Sequence, residues 1–385
     1  MQNIRKLPIG IQSFESLRRD NYIYIDKTEF VYSLVHSGKV YFLSRPCRFG
    51  KSLFLSTLKA YFEGKKELFK GLKIEQLEKD NPDAWKKYPV IHLNFAQDSF
   101  SSRGPLEDCI NLQLKKYEKE YGITEIGSRF AGRFINIVQT ARKKTGLPAA
   151  VLIDEYDKPL LDAQSNETLV NENRETLRGL YVTLKALDED LKFVFLTGVT
   201  KFSKVSIFSD LNQLEDISLS SQYATVCGIT EKEMLENLEQ EVIEFATQNK
   251  LSKEECINQL EKMYDGYHFY ENSEAVYNPF SLLNALKKQD FFLYWFATGT
   301  PTFLIKKLQE STMNYMDLSN GVEATAQERQ PQPYSALLPD RLPCNKGLRQ
   351  RIRRVPFKIP EQRGEVRVHK LPCAGNSEQQ PLHRT

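Results

Sequence analysis

Residues 39–63 read KVYFLSRPCRFGKSLFLSTLKAYFE. KVYFLS (39–44) is a short apolar run rich in strand formers, and a Pro-containing loop follows it. From Lys51 onward apolar residues recur at helical spacing and stop at Gly64. This order sets Gly50-Lys51-Ser52 at a helix start, where unpaired N–H groups and the positive end of the dipole favour a phosphate. In such a loop the lysine reaches the β- and γ-phosphates and the Ser hydroxyl ligates Mg²⁺. The full pattern is G-x-x-x-x-G-K-[ST], and here Arg45 stands where the first glycine belongs. Gly-Lys-Ser alone is a weak signal, with an unliganded helix start as the plain alternative. The strand before it and the helix after it are what the mechanism demands.

Working outward, PVIHLNF (89–95), AAVLID (149–154) and KFVFLTGV (192–199) read as further buried strands. PLEDCINLQLKKYEKEYG (105–122) and ETLRGLYVTLKAL (175–187) read as helices between them. Near-continuous apolar strands alternating with helices predict an α/β fold, a parallel sheet covered on both faces. From about 228 to 310 the pattern turns mostly helical, in TEKEMLENLEQEVIEFATQ, KEECINQLEKMYDGY and NPFSLLNALKKQ. The five aromatics in DFFLYWF (290–296) are read as core rather than as a platform for stacking bases.

The third strand ends in Asp154-Glu155, about 100 residues after the loop. A carboxylate at the carboxyl end of a strand can hold Mg²⁺, and the next can orient or deprotonate an attacking water. A solvated acidic turn, DEYDKP, is the alternative, and the loop and acidic strand in this order favour the nucleotide reading. Asp157 is either a further ligand or a turn residue, and the turn is preferred. The fourth strand runs into Thr197-Gly198-Val199-Thr200-Lys201. Thr197 or Thr200 could sense a γ-phosphate, although a threonine in a strand is ordinary; Lys201 is a candidate for charge in the transition state.

The 385 residues are 41% hydrophobic and 11% aromatic, enough for one to three domains with a sizeable core. There is no 18-residue apolar window, and the N-terminal MQNIRKLPIGIQSFESL has no continuous apolar stretch of a secretory signal. Six cysteines without a CxxC pair argue against a disulfide framework or zinc ribbon and predict a reducing, cytoplasmic setting. Net charge is +3, but residues 326–385 carry 12 Lys and Arg against 5 Asp and Glu, leaving 41 against 45 before them. That tail holds 8 of the 17 prolines and only two aromatics, Tyr334 and Phe357. It reads as a disordered basic segment rather than a nucleic-acid arm.

With these residues in hand, LPIGIQSFESLRRDNYIYIDKTEFV, SRPCRFGKSLFLSTL, VLIDEYDKPL and TGVTKFSKVSIFSDLNQLEDISL together resemble the bacterial AAA-ATPase-like family. YDGYHF, YNPFSLLNAL and YWFATGTPTFLIKKL extend the resemblance, which covers about residues 3–327. It implies a P-loop NTPase domain over 1–225, a helical lid or winged-helix-like domain over 226–325, and ATP with Mg²⁺ as cofactors. The expected nucleotide-binding residues are Arg48, Gly50, Lys51, Ser52 and Leu53; Ser52 and Asp154 are the expected metal ligands, and Glu155, Lys51 and Thr200 the catalytic residues. The family's loop reads R-P-R-R-F-G-K-S, so Arg45 follows the family, while Cys47 departs from it and leaves Gly50, Lys51 and Ser52 intact. Asp26-Lys27-Thr28 also matches and is expected near the nucleotide base. ATP is preferred to GTP by resemblance, and no N-K-x-D follows the loop.

Members of the family usually carry a PD-(D/E)XK nuclease-like domain after the ATPase module. The resemblance stops near Gln327. Residues 334–371, back-translated and reread one base downstream, give a string with strand alternation and aromatics similar to the joining segment. The tail is therefore expected to be out of frame and the nuclease-like domain missing. Glu365-Val366-Arg367 lacks the lysine of a nuclease core, so no nuclease activity is expected of this chain. The expected partners are ATP, further copies of the chain in a homo-oligomer, and a nuclease or nucleic-acid partner acting through the missing domain; no membrane is expected. No arginine finger is evident in the sequence, so a partner or neighbouring copy is expected to supply one. The alternative to an ATPase is a nucleotide-gated regulatory or binding module with little turnover.

Overall fold

A computed structural model describes residues 6–199 except 126 and 128, together with 213–292 and 294. Thr200, Lys201, Trp295, Phe296 and the basic tail lie outside the described residues, and so does the frame of that tail.

Five parallel strands form one sheet: β1 (Val40–Ser44), β2 (Val90–Asn94), β3 (Ala149–Asp154), β4 (Leu191–Gly198) and β5 (Glu215–Asp216), in the order β2-β3-β4-β1-β5. The four longer strands are the apolar runs of the sequence, and β1 and β3 are buried at every position, as a strand covered on both faces must be. β4 lies between the loop-bearing β1 and the acidic β3, with Ser44 opposite Gly198 and Ile153 opposite Leu196. The fold is α/β and consistent with a P-loop NTPase.

Alternation sorts each strand onto two faces. Tyr41, Leu43, Ala150, Leu152, Phe193 and Phe195 meet Phe54, Leu55, Leu58 and Phe62 of the helix Lys51–Phe62. Val151, Ile153, Val194 and Leu196 face the helices Pro105–Glu120, Phe130–Thr145 and Glu167–Tyr181 on the other side. A buried bidentate pair, Arg133 Nε to Glu118 Oε1 at 2.6 Å and Nη2 to Oε2 at 2.8 Å, joins two of those helices.

A third cluster gathers around the helices Glu231–Gln248, Lys253–Tyr264 and Pro279–Lys288. The first two start in capping boxes, Thr230 with Glu233 and Ser252 with Glu255, each satisfying orphan N–H groups at both ends of the box. Leu7, Ile9, Ile23 and Ile25 pack against this cluster, so the beginning of the chain lies beside its helical part. Phe291 packs tilted against Phe245 with ring centroids 4.5 Å apart, and Tyr294 is buried, whereas Phe292 is exposed. Two of the aromatics in 290–296 are thus core, as expected, and one is not.

Candidate functional site

The carboxyl ends of β1, β3 and β4 converge beside the start of the helix Lys51–Phe62. Gly50 is its N-cap with φ 96°, a left-handed backbone that glycine adopts without penalty. Arg48 and Glu155, on either side of the site, also hold positive φ, 68° and 54°. Non-glycine residues in that region cost about 1–3 kcal/mol each and collect at functional sites.

Lys51 is 3% exposed. Its Nζ donates to the carbonyls of Arg45 at 3.0 Å and Pro46 at 3.3 Å and lies 3.6 Å from Glu155 Oε1. Burial alone would lower its pKa, but Glu155 first, then Cys47, Asp157 and Asp154, outweigh it, and the pKa is raised. The ammonium therefore stays charged in a nearly dry site. Ser52 and Leu53 follow it in the first turn, both half-buried.

Asp154 is buried at the end of β3 and accepts a hydrogen bond from Thr197 Oγ1 at 2.5 Å. The adjacency of β3 and β4 creates this contact. Of the two threonines weighed as γ-phosphate sensors, Thr197 stands against the acidic strand end. Asp157 is fully buried rather than set in a solvated turn, with Oδ2 accepting the Val199 N–H at 2.9 Å. Chemically, the arrangement offers one buried cation, two adjacent carboxylates and a hydroxyl beside a helix start, a set suited to a polyphosphate with a hard cation.

A family model described as a predicted AAA-ATPase matches residues 8–208. The chain belongs to this AAA-ATPase-like family. It is also 41% identical over 307 residues to an uncharacterized protein from the vnfD 5′ region of Azotobacter chroococcum mcd 1. The match takes in 80% of this chain and 56% of that protein, so the chain spans little more than half the relative's length.

Arg45, at the place of the first loop glycine, is a buried residue of this AAA-ATPase-like chain. Its Nη1 donates to the carbonyls of Ser44 at 2.9 Å and Ser218 at 2.7 Å, its Nη2 to Tyr223 at 2.9 Å, and the guanidinium lies 3.9 Å from the Phe269 ring centre. Phe49 is held edge-on by Tyr267 and Phe269, with centroids 4.7 and 5.5 Å away, and Arg48 covers Phe280 at 4.1 Å. Contacts from three side chains, Arg45, Arg48 and Phe49, thus fasten the loop before Gly50 to the 267–280 region.

Asp26-Lys27-Thr28 is occupied in tying segments together. Asp26 Oδ1 accepts from Thr28 N and Oγ1, and Oδ2 from Lys73 N at 2.7 Å. Lys27 Nζ reaches Thr225 O and Glu233 Oε2, both at 2.7 Å. These bonds give the motif a structural role of its own.

His92 is a residue that sequence reasoning passed over. It sits on β2 opposite Leu152, on the same face as Asp154 two positions further along. Burial, only partly opposed by Asp154, pushes its pKa down to about 4. The unfolded chain takes up this proton at higher pH than the folded one, so stability should be full above pH 6.5 and decline as pH falls toward 4. The loss is about 3 kcal/mol for this group. Chemical denaturation of the parent and His92→Gln at pH 7 and pH 4 checks it; the variant should show a smaller decline. An equal decline would remove His92 as its source.

Proposed function

We propose that the chain is a Mg²⁺-dependent ATPase. The observation that carries this reading is the convergence at Lys51, whose ammonium lies between the phosphate-loop carbonyls and Glu155 at 3.6 Å. The loop and the acidic strand end thereby face one reacting volume. Gly50 lets the backbone approach phosphate, the helix start and Lys51 neutralise it, and Arg48 and Leu53 flank the bound nucleotide. Ser52 and Asp154 are oxygen donors that suit Mg²⁺, which needs only one or two protein ligands beside phosphate and water. When bound there, the ion would neutralise charge on the β- and γ-phosphates. Thr197 holds Asp154 in one orientation. Glu155 takes the proton from, or orients, the water that attacks the γ-phosphorus in line, and the β–γ bridging oxygen leaves with ADP. Thr200, three residues past Thr197, is proposed to contact the transferred phosphoryl group.

Steady-state ATP turnover with and without Mg²⁺ tests the reading, and a chain that binds ATP at one-to-one stoichiometry without turnover would replace it with the second one. That second reading is a nucleotide-gated regulatory module, supported by the fastening of the loop to the 267–280 region. A nuclease-like domain beyond this chain, a DNA partner and a neighbouring copy donating an arginine belong to the same proposal, along with a cytoplasmic setting and a helical lid over 226–325. Among the described residues no helix is long and apolar enough to cross a membrane. Turnover and binding measured with and without DNA separate the two readings.

Cys47 supplies a probe of occupancy. It is exposed in the loop, whereas Cys109, Cys227 and Cys256 are buried. Alkylation mapped to the Cys47 peptide should slow about ten-fold at ATP ten times its Kd. Unchanged alkylation at saturating ATP would mean that the nucleotide does not cover this loop.

A further inference from the structure

We infer that Asp157 is a positioning residue, holding the end of β4 so that Thr197 keeps Asp154 and the backbone of Glu155 in place; the inference rests on the ATPase reading above. Asp157 follows Asp154 by three residues and precedes the short helix Lys158–Asp162. Its carboxylate is fully buried and accepts the Val199 N–H at 2.9 Å. One residue earlier, Tyr156 N donates to the carbonyl of Thr197 at 2.9 Å. The 156–157 turn therefore grips β4 on both sides of Gly198.

Close approach makes that grip specific. A Cβ at Gly198 would come within 2.5 Å of the Tyr156 ring and 2.7 Å of Asp157 Oδ1. Only a residue without a side chain lets the turn lie this near. The circuit closes through Thr197 Oγ1 on Asp154 Oδ1 at 2.5 Å. Asp154 and Asp157 are thus two ends of a four-residue turn, the first bonded to Thr197 near the end of β4 and the second to Val199 just past it, and Glu155 with its φ of 54° is strung between them. Releasing Val199 frees the strand end and, with it, the orientation of both carboxylates proposed for hydrolysis. A turn residue that contributed only stability would have no selective effect on the chemical step.

Asp157→Ala removes the acceptor, Asp157→Asn keeps an oxygen for the Val199 N–H while removing the charge, and Gly198→Ala pushes the same contact apart from the other side. Each is compared with the parent for thermal unfolding, ATP affinity by fluorescent-nucleotide titration, kcat, KM, and hydrogen exchange at the Val199 amide. Asp157→Ala and Gly198→Ala should lose about ten- to a hundred-fold in kcat, since small misplacements of reacting groups carry that cost. KM and Kd should stay within about three-fold, and Asp157→Asn should recover kcat to within about three-fold of the parent. Val199 should exchange faster in Asp157→Ala than in the parent or Asp157→Asn. Where Asp157→Ala does not fold, Gly198→Ala carries the kcat test.

An equal kcat loss in Asp157→Asn and Asp157→Ala would overturn the inference in favour of a direct role for the charge. Unchanged kcat in folded Asp157→Ala or Gly198→Ala, or a KM rising in step with the loss, would also overturn it. If the parent neither binds nor hydrolyses ATP, the ATPase reading fails by itself. Exchange at Val199 then still decides whether Asp157 holds the strand: unaltered exchange in Asp157→Ala refutes the hold, and faster exchange supports it.

Discussion

Lys51→Ala is expected to lose at least about thirty-fold in ATP affinity, because truncating one partner of a buried, hydrogen-bonded charge pair costs about 2–5 kcal/mol. The side chain is 3% exposed and its charge is upheld by Glu155, Cys47, Asp157 and Asp154 against the pull of burial. The variant removes the ammonium from the phosphate site and also leaves Glu155 without the cation 3.6 Å from it. Titration with a fluorescent ATP analogue measures the loss, and thermal unfolding confirms that the variant is folded. Affinity within a few-fold of the parent would place the phosphates elsewhere and sink the proposed site as a whole.

Glu155→Gln separates binding from chemistry. The amide keeps the size of the side chain and can still lie beside Lys51, but it cannot take a proton. ATP affinity should remain within about three-fold of the parent while kcat falls about a hundred- to a thousand-fold, the range of a lost general base. Single-turnover kinetics with radiolabelled ATP distinguishes the chemical step from product release. Normal hydrolysis by the variant would show that another group handles the water and that Glu155 serves only as the partner of Lys51.

The architecture was legible wherever a segment announces itself locally. KVYFLS, AAVLID and KFVFLTGV are apolar enough to be strands buried on both faces, and each is one to within a residue or two. Glu215–Asp216 escaped because two charged residues carry no periodicity; they are a strand only by pairing with Tyr41 and Phe42 of β1. The helix Phe130–Thr145 went unread although its apolar face meets the core.

The site divides in the same way. Gly50-Lys51-Ser52 and Asp154-Glu155 can be picked out because their chemistry depends on residue type and immediate context. Arg45 could be recognised as a departure from the glycine pattern, but its partners Ser218, Tyr223 and Phe269 lie more than 170 residues away. No local pattern carries such contacts. Thr197 touches Asp154 because β4 was inserted beside β3, a fact of topology. Asp157 looks like a turn residue in DEYDKP until the Val199 amide is found against it.

The fastening of the phosphate loop has a thermodynamic consequence that runs in both directions. Arg45, Phe49 and Arg48 share their contacts with Phe269, Tyr267 and Phe280, so a shift of those rings alters the loop that ATP would grip. Linkage then requires reciprocity: a partner that binds the helical part and tightens ATP by some factor is itself tightened by ATP through the same factor. On the proposed reading, the aromatic contacts would couple the two ligands through one factor, readable from either end.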